Sequence, residues 1–144
     1  MDDKHNYKVS LKWQEGRKGI MESPGLDQKI EVVTPPEFDK GIAGIWSPEH
    51  LYTASVLSCY MTTFLAMADY SKLEFLDFDC TADGILEKVE KGFLMTEVNL
   101  KATLKITDPN KTEKAKRLME KCEGICLISN SIKSKVNVET TVIL

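Results

Sequence analysis

Four thiols carry most of the chemistry open to this sequence: Cys59, Cys80, Cys122 and Cys126. Two of them sit four apart in K-C-E-G-I-C-L-I-S-N. That spacing alone is compatible with metal ligands, core filling, a disulfide or half of a reactive site. A zinc site needs clustered ligands at recognisable intervals, but there is no C-x-x-C, and the histidines are His5 near the start and His50 at a helix start. No metal is expected. A Cys/His acyl-transfer site is equally weak, because neither histidine has an evident orienting partner. What remains is redox chemistry or packing. Cys80, on the apolar face of a strand pattern, and Cys122, four places after Leu118 on an apolar helical stripe, read as core. Cys59 lies mid-helix in L-S-C-Y-M, where packing would suffice. Cys126 follows Gly124 and reads as opening a new short helix, whose N-terminal N–H groups and dipole would lower a thiol's pKa.

The elements that must position these thiols follow from periodicity. Tyr7, Val9, Leu11 and Trp13 alternate with Lys8, Ser10 and Lys12, predicting a strand with one buried face. E-G-R-K-G reads as a turn around Arg17, and short strands at 20–22 and 29–33 complete a three-stranded meander. Thr34-Pro35-Pro36 ends the sheet, since proline cannot donate to a ladder. In W-S-P-E-H, Ser47 is the expected N-cap, Pro48 the first helical residue and Glu49 a first-turn acid. The helix should reach about Asp69 and, apolar on most sides, lie at the centre of the fold. A long hairpin turning near Lys91-Gly92 follows. A second helix from about Asn110 to Cys122, stopped by Gly124, is paired with a short helix at 127–132. A final strand carries Val136, Val138, Thr140 and Val142. The class is α+β, in one domain over 1–144.

Composition narrows the function. Charged residues make up 28 % of the 144, the net charge is −3, and no basic stripe predicts a nucleic acid partner. The polar start M-D-D-K-H-N-Y is unlike a secretory signal, and Leu51 to Ala68 lacks the uniformity of a membrane span, so no membrane partner is expected. A cytoplasmic location follows as an expectation, and there structural disulfides are rare.

The stretch S-P-E-H-L-Y-T-A-S-V-L-S-C-Y, from Ser47 to Tyr60, resembles the central-helix signature of the OsmC/Ohr family, the osmotically inducible and organic hydroperoxide resistance proteins. In that pattern a Pro-Glu pair opens the helix and a cysteine follows ten residues after the Glu, as Pro48, Glu49 and Cys59 do here. C-L-I-S-N, from Cys126 to Asn130, is similar to the family's late C-P-x-S-N, with Leu127 in place of the proline. Arg17 occupies the place of an arginine in a Gly-rich turn. The resemblance implies an OsmC-like fold in an intertwined homodimer, with the cysteine helix buried between sheets and the site at the subunit boundary.

It also implies thiol-dependent reduction of organic hydroperoxides. Cys59 would be the peroxidatic thiol and Cys126 the resolving one, with Arg17 and Glu49 as electrostatic support. A dithiol, for the Ohr branch a lipoylated protein, would be the reductant, with no cofactor. The chemistry is consistent with first principles. A thiolate attacks the O–O bond, an alcohol leaves, and a sulfenic acid forms. With a free thiol pKa of about 8.5 only a few per cent is ionised at neutrality, so a cation is needed. Arginine suits because its fork can bond both sulfur and carboxylate. Ten helical residues span roughly 15 Å, too far for one arginine to bridge Glu49 and Cys59 of one continuous helix. The reading favoured is that the carboxylate comes from the partner subunit. Phe38, Trp46 and Tyr60 are candidate apolar substrate contacts, and Cys122 is an alternative resolving thiol. V-L-S-C-Y-M-T-T-F is closer to the broad OsmC-like group than to the Ohr branch. A redox sensor with little turnover therefore stands as the alternative, as does a non-enzymatic binder of small apolar ligands.

Overall fold

The structure, a computed structural model, describes residues 3–144. The span read above as one domain forms two compact units, the first ending at Leu51 and the second running from Tyr52 to Leu144.

The first unit is an antiparallel meander of β1 (Ser10–Glu15), β2 (Lys18–Glu22) and β3 (Ile30–Val33), in that order. Gly16 makes the β1–β2 turn at φ +52, a left-handed conformation that glycine adopts without a Cβ penalty, and Arg17 sits beside it. The expected strand starts later than its alternation suggested, and its buried face is not buried. Leu11 is 62 % and Trp13 69 % exposed. Register puts Trp13, Gly19 and Val32 on one face, and a three-stranded sheet has no second layer of its own to cover it.

Ser47 caps the central helix α1 (Pro48–Tyr70) as expected. The His50 N–H donates to Ser47 Oγ at 3.2 Å, and the Leu51 N–H donates to the Ser47 carbonyl. The reciprocal half of the capping box comes from His50, whose Nδ1 accepts the Ser47 N–H at 3.2 Å, in the role usually held by Glu or Gln. At the other end, Lys72 takes φ +56, its N–H reaches the Asp69 carbonyl, and the Leu73 N–H reaches that of Ala68. This is the Schellman pattern, with lysine where glycine is usual.

In the second unit, β4 (Asp77–Val89) and β5 (Gly92–Lys105) form the long hairpin, and β6 (Lys135–Ile143) adds to β5 in parallel. A parallel neighbour requires a crossover, supplied here by α2 (Thr112–Ile125). Asp108 caps the turn into it, accepting from the Asn110 N–H at 2.9 Å. In β5, Met95 and Val98 break the two-residue period. Pairing of Ile85 with Glu97 and of Leu86 with Met95 leaves Thr96 as the extra, bulged residue. The hairpin's outer face sets Asp77 opposite Lys105 and Thr81 opposite Lys101, favourable for a solvated surface. Its inner face carries the core: Val98, Leu100, Ala102 and Leu104 with Val56, Tyr60 and Phe64 of α1 and Ala115, Met119 and Cys122 of α2. Phe64 stacks on Phe78 at 4.9 Å.

The helix is less enclosed than its composition predicted. Its buried residues are Val56, Cys59, Tyr60, Phe64 and Ala68, whereas Met61 and Leu65 are each 40 % exposed. Contrary to the expectation from uniformity, an 18-residue window of this 23-residue helix has a mean hydropathy of 1.3, and the helix is long and apolar enough to cross a membrane by length and composition alone. Its buried stripe is instead engaged with the sheet. One position reports that packing directly. A Cβ on Gly84 would lie 2.0 Å from Thr53 Oγ1 and 2.8 Å from Met95 Cε. The methionine tip can move, but a β-branched threonine on a helix has few rotamers. Gly84→Ala is expected to destabilise the protein by about 1–3 kcal/mol in urea unfolding. Adding Thr53→Ala should recover part of that loss in a double-mutant cycle.

Candidate active site

Cys59 lies on the buried stripe of α1 with 9 % of its surface exposed, and Cys126 is 1 % exposed. Their side chains meet within the second unit. After burial, the charge of Cys59 and its side-chain interaction with Cys126 both oppose ionisation of Cys126. The structure thus brings together two cysteines that are distant in sequence, and all four cysteines are unbridged. What aligns α1 with α2 is Tyr60: its hydroxyl donates to the Met119 carbonyl at 2.9 Å, and its ring stacks on Phe78.

The local setting of Cys126 differs from the one expected. Gly124 does not stop α2. Nothing lies within 4 Å of where its Cβ would be, and the helix runs through it to Ile125. Cys126 is the C-cap, with φ −65 and ψ 119, so it occupies the negative end of a helix and does not open a new one. The next turn, a short 3-10 helix at Ser129–Ser131, begins later. The Sγ donates to the Cys122 carbonyl at 3.0 Å, a partner that favours the neutral thiol. Burial is the main cause of a raised Cys126 pKa. A hydrogen bond from Thr63 acts the other way, and Cys59 adds to the rise. The correction has a plain cause. Glycine inside a helix costs only about 1 kcal/mol, and packing of Leu118, Met119 and Cys122 outweighs it.

Of the other two thiols, Cys122 lies in the core as read, whereas Cys80 is half-buried and packs against that core. Cys122 is fully buried, and its pKa is pushed up to about 11, by burial first and by Cys126 next, with Lys121 opposing. Burial likewise lifts Cys80 to about 11.

Arg17, Glu49, Phe38 and Trp46 belong to the first unit. Arg17 lines a cleft of about 270 Å³ with Leu11, Trp13, Val33, Thr34 and Pro48. Glu49 stands in the first turn of α1 with its Oε2 buried. Trp46 is 53 % exposed and edge-on to His50 at 6.0 Å. Phe38 is half-buried in the loop, its N–H donating to the Pro35 carbonyl. Tyr60 is 1 % exposed, in the core and away from any open surface. Because α1 is continuous from Pro48, Glu49 and Cys59 of one chain are separated by a rise of roughly 15 Å. Sequence reasoning missed Thr63, although its position one turn beyond Cys59 on the same helix face was a usable signal. Among the described residues, no group of three or more His, Cys, Asp or Glu side chains is placed to hold a metal ion.

This arrangement of a cysteine-bearing central helix against a three-stranded sheet has clear counterparts. A family model described as OsmC-like protein matches residues 41–141. The chain belongs to the OsmC-like family. Among curated proteins it is similar to the uncharacterized protein YmaD of Bacillus subtilis, 24 % identical, covering 94 % of this chain and 91 % of that one. An OsmC-like protein of unknown function from Vibrio cholerae shares the fold at a TM-score of 0.83 and 21 % identity, covering 95 % of this chain and 99 % of that one. A structure from Legionella pneumophila, titled an organic hydroperoxide resistance protein OsmC, is 26 % identical at a TM-score of 0.71, covering 97 % and 98 %.

Proposed function

We propose that this protein is a cysteine peroxidase that reduces organic hydroperoxides to alcohols. The observation that carries the reading is the meeting of Cys59 and Cys126. The Cys59 thiolate attacks the O–O bond, releases the alcohol and becomes a sulfenic acid. Cys126 then attacks that sulfur, water leaves, and a disulfide forms that an external dithiol, such as a lipoylated protein, reduces. Likeness to proteins named for organic hydroperoxide resistance supports the substrate class. Arg17 is proposed as the cation that favours the thiolate, and Glu49 of a partner subunit as the carboxylate that holds its fork. Phe38 and Trp46 remain the proposed apolar contacts for substrate. The homodimer this requires is supported by the exposed apolar residues Leu11, Trp13, Met61 and Leu65. A monomer in sedimentation at micromolar concentration would remove that part of the reading.

The test is peroxide consumption by reduced protein with a dithiol, comparing cumene hydroperoxide with hydrogen peroxide and mapping the oxidised cysteines. Turnover with a Cys59–Cys126 disulfide is the expected result. A reduced Cys59 under excess peroxide would end the proposal. Arg17→Ala should lower the rate of Cys59 oxidation roughly tenfold to hundredfold, the scale of one charge-assisted hydrogen bond, with Arg17→Lys intermediate. An unchanged rate in Arg17→Ala would remove Arg17 from the site.

The raised pKa of Cys126 favours a second reading, a redox sensor that forms the disulfide slowly and turns over little. Disulfide formation without sustained peroxide consumption would select it.

A further inference from the structure

The resolving step, as proposed above, sets a problem for this chain's Cys126. Its sulfur is buried, stands at the negative end of α2, and points its proton at the Cys122 carbonyl 3.0 Å away. Each of these disfavours the thiolate needed for attack, and a thiolate formed there would face the carbonyl's oxygen across the same gap. That carbonyl, the Cys59 side chain, the Thr63 hydroxyl and the charge of Glu123 act on the sulfur, and Glu123, like Cys59, opposes the thiolate. The carbonyl cannot donate. Cys59 is the electrophile once oxidised. Thr63 is the neighbour with a hydroxyl proton to offer.

Its placement follows from the helix. Thr63 is four residues after Cys59 on α1, so the two side chains lie on one face, one turn apart. The Tyr60–Met119 hydrogen bond, from the same turn of α1, fixes that face against the last two turns of α2. Thr63 is half-buried, and as a β-branched residue it holds few side-chain rotamers.

We propose that Thr63 is the positioning residue for the resolving thiol, its hydroxyl turning Cys126 Sγ from the Cys122 carbonyl toward Cys59 and sustaining it as a thiolate during attack. The step balances without further reactants. Cys126 Sγ forms a bond to Cys59 Sγ as the S–O bond of the sulfenic acid breaks. The oxygen leaves as hydroxide and takes up the proton lost by Cys126, giving water. Thr63 donates a hydrogen bond and keeps its own proton.

This rests on the peroxidase reading for its physiological setting, so the test uses two oxidants. Reduced wild type, Thr63→Val and Thr63→Ser are oxidised with cumene hydroperoxide and, separately, with diamide. Diamide drives disulfide formation through an adduct on one thiol that the other then displaces. The rate of Cys59–Cys126 disulfide formation is followed from pH 6 to 10 by quenching and peptide mapping. Valine keeps the shape and loses the hydroxyl, and is expected to slow the step roughly tenfold or more and to move the rate–pH profile upward by about one unit. Serine restores the donor and should return both toward wild type. With cumene hydroperoxide, Thr63→Val should also accumulate over-oxidised Cys59. Equal rates and profiles for Val and wild type overturn the inference. So does equal slowing by Val and Ser with an unmoved profile, which would mark a packing role. If Thr63→Val does not fold, Thr63→Ala supplies the same hydroxyl loss and is read by the same profile. Wild-type disulfide with diamide but none with the hydroperoxide ends the peroxidase reading while Thr63 is still judged by the diamide arm. No wild-type disulfide with either oxidant overturns both.

Discussion

Replacing Cys59 with serine is expected to abolish peroxide consumption, leaving only the slow background of the dithiol with the peroxide. The reason is intrinsic to the atom. A serine hydroxyl is not ionised at any working pH and has no oxidation chemistry comparable to a thiolate's, so neither attack on O–O nor a sulfenic acid analogue is available. The loss should therefore be on the order of a thousandfold or more in rate, the scale of removing a nucleophile. Folding should survive. Serine is close to cysteine in size, and in mid-helix its hydroxyl can donate to the carbonyl four residues back, as Ser58 does to Ala54 at 2.8 Å. The stability cost is expected to be about 1–3 kcal/mol at this nearly buried position. Unfolding curves and the peroxide assay on the same preparation separate the two effects. Retained consumption in Cys59→Ser would transfer the chemistry to another thiol and end the assignment.

Cys126→Ser is expected to behave differently. Cys59 can still attack once, so one equivalent of peroxide is consumed in a burst. Without its partner the sulfenic acid persists and is exposed to a second peroxide, which carries it to the sulfinic state. Dithiol-coupled turnover should fall well below wild type, and mass mapping should find the lesion at Cys59. Cys122 is the thiol that could replace Cys126, but it is fully buried, with a pKa pushed up to about 11. Normal turnover in Cys126→Ser, with a Cys59–Cys122 disulfide, would give Cys122 the resolving role. In the wild type the sign of the pH effect is set by Cys126. Burial holds its thiol above the ordinary value, so the thiolate fraction continues to grow with pH beyond the range of a free thiol. Disulfide formation should accelerate as pH rises through and above about 8.5, the free-thiol value.

Much of this architecture was legible in short stretches. S-P-E-H named the start of α1 because an N-cap hydroxyl and a first-turn proline act within four residues. The β4–β5 hairpin was evident from alternation, and even its bulge was present as the odd interval from Met95 to Val98. The misreadings share another character. β1 alternates as a half-buried strand should, yet burial depends on what is laid against it. Gly124 looked like a helix stop, but a propensity near 1 kcal/mol yields to a packed stripe. His50 looked like a bystander, and its cap was invisible because histidine is uncommon in that role.

The sequence by itself determined most of the elements, the N-cap of α1, the family and which thiols to question, because periodicity, capping and motif spacing are written within a few residues of chain. Only the tertiary structure decided that Cys126 ends a helix and meets Cys59 and Thr63, that β6 runs parallel to β5, and that Tyr60 is a strut between helices. Those outcomes rest on contacts between residues far apart in the chain. Such contacts form where the summed burial of Phe64, Leu100, Met119 and their neighbours is greatest, and no local pattern encodes that sum.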